Sequence, residues 1–345
     1  MEEVSVADLR RGGIKSSSYE IGGVEMINFL GHRANSTSRT LFLCTGVAIL
    51  LSITACQKQQ VSTVQAGPAT FTSPEDAGRT LANAAKSQDL SELTRIFGAN
   101  SANVLSSGDS TEDKASLVGF SQAYQVMNRW RKLDDHSELL LIGADNQAFP
   151  IPLMKNASGQ WYFDVAAGKD EILSRRIGRN EIATIVTSAA IVDAQDEYFS
   201  QNHGGVKQYA QKFISDPGQQ NGLYWNSAQE GAARSPLGPL VAYATAEGYK
   251  ARPDQHQAFS GYYFAMLDKQ GADAKGGAKS YIVNGKMTGG FAIVAYPSQY
   301  GDSGIMTFIL DQNGATYQKD LGKGTSEIAS TMAEFNPDKT WVAVQ

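Results

Sequence analysis

Thiols, histidines and long apolar runs are all scarce in this 345-residue chain. It has two cysteines, Cys44 and Cys56, both near the start. Everything after them lacks a pair to crosslink, so a disulfide framework is excluded and the core must hold without staples. After residue 56 the histidines are His136, His203 and His256, widely separated and with no thiol beside them. A dedicated zinc or copper site lacks its ligand set, and no metal or cofactor is expected. Net charge is also small, −5. The five acids and five bases before Cys56 cancel, so residues 56–345 carry all of it. A mildly acidic chain argues against a nucleic-acid partner. Finally, the apolar run Leu41 to Ile53 falls short of the roughly twenty residues that a membrane span needs.

That short run is still the most informative stretch. Arg33 and Arg39 precede it, with no acid between Met26 and Thr40, and small residues follow. A basic start, a short apolar centre and a small-residue end make a secretory signal. Its end, Ile53-Thr54-Ala55-Cys56, resembles the lipobox of bacterial lipoproteins, whose cysteine is diacylated through sulfur and becomes the mature N-terminus. The plainer alternative is an ordinary cleaved signal with a chance cysteine. The lipobox reading implies that residues 1–55 are a removed signal peptide and that the membrane is a partner through lipid on Cys56. Two acyl chains anchor stably, at about 0.8 kcal/mol per buried methylene. Gln57 follows the cysteine where an Asp would mark inner-membrane retention. This resembles the outer-membrane class, so the expected address is the bacterial cell envelope, on the periplasmic face of the outer membrane. Residues 1–25 fit poorly as a signal start because Glu2, Glu3, Asp8, Glu20 and Glu25 are acidic. Translation is therefore expected to begin at Met26.

Residues 56–72 are polar and small, a lipidated tether. Residues 73–168 form a first α+β unit. Ser73-Pro74-Glu75-Asp76 opens a helix by capping, proline and charge rules, with Ala77, Leu81 and Ala84 on its buried face. A break at Ser87–Asp89 starts a second helix carrying Leu90, Leu93 and Phe97. A third is expected from Thr111 to Leu133, where Leu117, Phe120, Tyr124, Met127 and Trp130 recur at helical spacing. Strands follow at Glu138–Ile142, Ala148–Leu153 and Gln160–Val165, with Pro150 and Pro152 placing the middle one at an edge or bulge. Helices before strands, without βαβ alternation, read as α+β, and the pattern faintly resembles the cone-shaped nuclear-transport-factor-2-like fold.

Residues 169–345 make a second α+β unit. Glu171 to Asn202 is mostly helical, with an interruption expected at Gly178. A short helix over Val206–Phe213 and another opening at Ser235-Pro236 and stopping at Gly248 come next. Strands are expected at Gly261–Leu267, Tyr281–Asn284, Phe291–Tyr296 and Gly304–Leu310. Asn313-Gly314 turns the last of these into Ala315–Leu321. Ser326–Phe335 reads as helix and Trp341–Val344 as a return to the sheet. Five glycines between Lys275 and Gly290 suggest a mobile surface loop.

Asp193-Ala-Gln-Asp-Glu-Tyr198, Gly261-Tyr-Tyr-Phe264, Asn284-Gly-Lys-Met-Thr-Gly-Gly-Phe-Ala292, Tyr296-Pro-Ser-Gln-Tyr-Gly301, Gly304-Ile-Met-Thr-Phe308 and Tyr317-Gln-Lys-Asp-Leu321 together resemble the bacterial "domain of unknown function 2950" family. The likeness runs from about Phe71 to the end. It implies an exported, often lipid-anchored protein with no established activity. A second resemblance lies in Ala189-Ala-Ile-Val-Asp-Ala-Gln-Asp-Glu-Tyr-Phe199, which is similar to the amphipathic half of the first helix of type IV pilins and pseudopilins. There that helix packs on an antiparallel sheet, so residues 169–345 are expected to be a pilin-like head. No apolar helix precedes it, however. Asp170, Glu171, Arg175, Arg176 and Arg179 stand there instead, so polymerisation through a membrane-derived helical core is not expected.

Isolated motifs that suggest chemistry are incomplete. Gly301-Asp302-Ser303-Gly304 echoes a serine-protease nucleophile, but no histidine carries the matching context. Gly271-Ala-Asp-Ala-Lys-Gly276 has phosphate-loop spacing, yet Gly277 replaces the lysine and a strand follows. Asp311, Asn313 and Gly314 hint at a calcium loop without its late Glu. His203 reads as a helix-end cation and Asp196 and Glu197 as a solvated face, while Arg175, Arg176 and Arg179 could bind an anion or phospholipid headgroup but, alternating with Glu171 and Glu181, read as surface ion pairs. Tyr224, Trp225, Tyr243, Tyr262 and Tyr263 are core unless they line a groove. No catalytic, cofactor or metal residue is nominated; the one modification site is Cys56. The expected function is therefore a non-enzymatic interaction or assembly factor of the envelope, with an envelope protein as partner. The alternative is a ligand-binding or hydrolytic module using a pocket in residues 73–168. Replacing Cys56 by Ala is expected to move the protein from the membrane to the soluble fraction while it still folds; retention at the membrane would contradict the lipid anchor.

Overall fold

The computed structural model describes residues 67–226, 234–246, 248–249 and 257–344. Cys44, Cys56 and His256 lie outside them. The fold is α+β, as the order of patterns implied. Helices α1 (Pro74–Ser87), α2 (Leu90–Phe97), α3 (Ala102–Leu105) and α4 (Ser110–Val126) come first. Strands β1 (Asn128–Lys132), β2 (Ser137–Ile142), β3 (Gln147–Ala148), β4 (Leu153–Lys155) and β5 (Trp161–Phe163) follow. After them come the long helix α5 (Val165–Ser200) and the shorter α6 (Gly238–Ala246). Last are β6 (Tyr262–Leu267), β7 (Ala292–Pro297), β8 (Met306–Asp311), β9 (Thr316–Asp320), α7 (Thr325–Ser330) and β10 (Val342–Ala343). Among the described residues no helix is long and apolar enough to cross a membrane.

Local chemistry sets the first helices. The Ser73 hydroxyl accepts the Asp76 amide at 3.2 Å, and Asp89 accepts that of Glu92 at 3.0 Å, which satisfies donors the helix cannot use itself. Between them Gln88 adopts φ 53°, the left-handed cap that turns the chain. Leu81, Leu93, Ile96 and Phe97 then meet the sheet β1-β2-β4-β5, antiparallel throughout, with β3 branching from β2. The interior of this half is filled by rings. Phe163 meets the edges of Phe71 at 6.2 Å, Phe97 at 5.6 Å and Phe149 at 6.0 Å, and Phe120 lies 5.1 Å from Phe149.

Two expectations for this half need correction. The third helix stops at Val126, not Leu133, and Met127 is fully extended. Arg129, Trp130 and Arg131 alternate out, in and out along β1, so a period of two displaces the helical one. The strand expected over Ala148–Leu153 is split into β3 and β4, because Pro150 and Pro152 have no amide to give a ladder.

Helix α5 is continuous for 36 residues, with no interruption at Gly178. A Cβ at Gly178 would meet nothing within 4 Å, so its cost is the propensity term alone, about 1 kcal/mol. Packing on both sides overrides that. Gly168 differs: a Cβ there would come within 2.7 Å of the Ile151 Cα and the Pro150 carbonyl. That close approach seats the start of α5 against the first sheet.

The later half of α5 buries Ile191, Val192, Ala194 and Tyr198 against the second sheet, ordered β10-β9-β8-β7-β6 and antiparallel. Strand β7, flanked by β8 and β6, is buried at all six residues. The Asn313-Gly314 hairpin forms as expected, as does the return of β10 to β9. Three other expectations are overturned. Residues 206–213 are not helical; Gly204 and Gly205, both at positive φ, turn a tight hairpin between Asn202–His203 and Val206–Lys207. The helix expected to reach Phe335 ends at Ser330, and Glu334–Phe335 pairs with Lys269–Gln270. The glycine-rich segment 275–290 is pinned, not loose, because Tyr281 and Met287 are buried in the core.

Phe163 is fully buried among three other rings. Phe163→Ala is expected to cost about 3–5 kcal/mol in chemical denaturation; a loss below about 1 kcal/mol would show that this ring cluster is not the core of the first half.

Candidate functional site

The polar side chains of greatest consequence gather where α4 starts, α5 passes its midpoint and the chain enters β6. Asp109 caps α4, its Oδ1 accepting the Thr111 amide at 3.0 Å and that of Glu112 at 3.2 Å. Its Oδ2 accepts the Tyr249 hydroxyl at 2.6 Å and, more weakly, the Gly261 amide at 3.4 Å. The Tyr249 oxygen in turn accepts the Ser260 amide at 3.2 Å. Burial, reinforced by the bond to Asp109, drives the Tyr249 pKa far upward, so this phenol stays a donor. Gly261 sits at φ +74°, and a Cβ there would collide with the Asn180 amide.

Helix α5 supplies the matching groups. Arg176 is buried and donates to the carbonyls of Val104 at 3.0 Å, Asn103 at 3.3 Å and Ser106 at 3.4 Å, closing the end of α3. Asn180 donates to the Ser303 carbonyl at 2.9 Å. Glu181 Oε1 accepts the amides of Ile305 and Met306, each at 3.0 Å. Two of the surface pairs expected here do not form: Arg176 serves carbonyls and Glu181 serves backbone amides. Arg175 does pair with Glu171, at 2.7 Å.

Beside this node lies a cleft of about 170 Å³, lined by Thr111, Glu112, Arg179, Tyr243, Tyr249 and Phe259 among others. Glu112 is its unusual member. Asp109-Ser-Thr-Glu112 has capping-box spacing, but Glu112 does not reach back to the cap. The Asp109 amide is taken by the Ser107 hydroxyl instead, at 3.2 Å. The Glu112 side chain is only 19% exposed, and its Oε2 is buried without a hydrogen-bond partner. Arg179 reaches its other oxygen only to 3.8 Å. Burial raises the Glu112 pKa, and the nearby Asp109 and Asp113 add to this against the opposing pull of Arg179 and Arg176.

The motifs singled out in the sequence lie elsewhere and are consumed by the fold. Ser303 is fully buried, its oxygen accepting the Gln299 amide at 3.0 Å inside a turn, so it is no exposed nucleophile. Segment 271–276 leads into Lys279–Ser280, a strand. Asp311 Oδ1 accepts the amides of Asn313 and Ala315 to close the hairpin. His203 stacks on Tyr198 at 3.6 Å and bonds its carbonyl at 3.0 Å; burial lowers its pKa, so it serves as a neutral donor instead of the expected cation. His136, Asp196 and Glu197 are exposed. Tyr262 is core, Tyr263 packs on Tyr296, and Tyr224 and Trp225 border a wider groove of about 650 Å³ with Arg234. Among the described residues, no group of three or more His, Cys, Asp or Glu is placed to hold a metal ion. Asp109, Glu112 and Tyr249 were not nominated from sequence; the capping-box spacing Asp109-Ser-Thr-Glu112 is the one signal that could have found the first two.

A family model described as "Protein of unknown function (DUF2950)" matches residues 68–344, nearly all of the described chain. No curated protein and no solved structure matches.

The raised Glu112 pKa fixes a sign. Its carboxyl binds a proton more tightly folded than unfolded, so stability is lost as pH rises from about 4.5 through the folded value. Glu112→Gln removes the cost of burying that charge and is expected to make the protein more stable at pH 7 than the wild type. The gain should vanish below pH 4, where both states are protonated. Thermal unfolding across pH checks it, and destabilisation at pH 7 would contradict the assignment.

Proposed function

This chain belongs to the DUF2950 family of proteins of unknown function, and from that premise we propose that it is a bacterial envelope lipoprotein acting by binding rather than catalysis. On this reading the signal is removed, lipid on Cys56 holds the protein to the periplasmic face of the outer membrane, and the tether 56–72 presents the folded part to an envelope protein. Residues 169–345 serve as a pilin-like head without the polymerising helix.

One observation carries the interaction role. Ile182, Val186 and Ala189 follow one another at helical spacing on the solvent face of α5, with Ile182 66% and Val186 53% exposed. Charged side chains hold the same face on either side, with Arg175 and Arg179 before and Asp193 and Glu197 after. An apolar stripe rimmed by charge is the form a partner-binding surface takes. The rival reading, a ligand-binding or hydrolytic module with a pocket inside the first half, has to contend with the five phenylalanines that fill that interior.

A photo-crosslinking residue placed at Val186 is expected to give a discrete crosslinked species in intact cells, while one at the exposed Asn83 on α1 gives none. Uncrosslinked monomer alone from both positions would contradict the interaction role.

A further inference from the structure

We propose that the exposed face of α5 is where two copies of this chain meet, their α5 helices packed antiparallel across a two-fold axis at Val186. The proposal rests on the interaction role given above and names the partner. On a helix of 3.6 residues per turn, positions about seven and eleven residues from a given one return to within about 20° of it. Arg179 and Arg175 lie seven and eleven residues before Val186, and Asp193 and Glu197 lie seven and eleven after it. One exposed line along α5 therefore runs from two bases, through an apolar centre, to two acids. Turned end for end about Val186, a second copy sets Asp193 opposite Arg179 and Glu197 opposite Arg175, twice over. A parallel copy would set like charges together, which costs affinity.

The apolar centre obeys the same symmetry. Ile182 lies four residues before Val186 and Ala190 four after it; Ala183 lies three before and Ala189 three after. The one long side chain thus falls opposite an alanine, and Ala183 falls opposite Ala189, so two helices can approach closely. A two-fold contact needs only one such self-complementary surface. The charges are available for it. Among the described residues Asp193 and Glu197 enter no salt bridge. Arg175 is held by Glu171 at 2.7 Å and by the Ala148 carbonyl at 2.8 Å, and Arg179 stands 3.8 Å from Glu112. Their side chains nevertheless remain 42% and 60% exposed. An anionic membrane would attract the basic end of the line and repel the acidic one, whereas a second copy answers both. The contact from Arg175 to Glu197 is about 33 Å long. A single helix pair is a small interface, favoured when lipid holds both copies on one membrane.

The test uses the full chain in intact cells, expressed as two copies with different tags, one of them carrying a photo-crosslinking residue at Val186. A crosslinked species bearing both tags is expected. With Asp193→Arg in both copies, or Arg179→Asp in both, its yield is expected to fall about tenfold, because two attractive pairs become repulsive. With Asp193→Arg in one copy and Arg179→Asp in the other, every pair is again of opposite sign. The yield is then expected to return to within about twofold of the unsubstituted pair, a recovery that also shows both variants to be folded. Undiminished yield in the like-charged pairs, or no recovery in the mixed pair, would overturn the antiparallel contact. Crosslinking only within one chain, to residues 56–72, would overturn it as well. Crosslinking to a different protein alone would overturn self-association and leave the interaction role standing, whereas no crosslink at all would overturn both.

Discussion

The Asp109 carboxylate accepts two amides from its own helix, together with the Tyr249 hydroxyl and the Gly261 amide from residues 140 and 152 positions away. Burying a carboxylate costs several kcal/mol unless its lone pairs are occupied, and here four donors occupy them. Charge-assisted bonds of this kind are worth more than neutral ones. Because the Tyr249 pKa is driven far up, the phenol keeps its proton and stays a donor to Asp109. The same principle repeats along α5. Arg176 closes the end of α3, while Asn180 and Glu181 satisfy the turn leading into β8. These side chains hold backbone groups that would otherwise be buried and unpaired, which is why a 36-residue helix can carry polar residues through its middle without fraying.

Much of this architecture was legible in sequence. Ser73-Pro74 and Asp89 announced two helix starts through capping chemistry, and Asn313-Gly314 announced the hairpin, because those signals act within four residues. Failures came where distant contacts decide. Trp130 sits at helical spacing from Met127, yet its strand exists because β2 lies beside it. Gly178 reads as a break until the packing on either side is known. Tyr281, in a glycine-rich run, reads as loop until the core closes around it.

The candidate site was less legible still. Arg176 and Glu181 looked like ordinary members of a charged helix face, and only the fold reveals that one ends up on carbonyls and the other on amides. Asp109 and Glu112 form a capping-box pattern, which by itself predicts a closed local pair. The structure divides them: Asp109 caps the helix, while Glu112 turns away from the cap, one oxygen buried without a hydrogen-bond partner and the other 3.8 Å from Arg179.

Central to all of this is the claim that Asp109 ties the helical first half to the β-rich second half. Hydrogen–deuterium exchange on Asp109→Ala tests it most directly. The account predicts lost protection both at the start of α4 and at the distant Ser260–Tyr262 and the turn at Ser303, with the first sheet and the centre of β7 still protected. Lost protection confined to the first turn of α4 would show that Asp109 is only a helix cap, and would contradict the account.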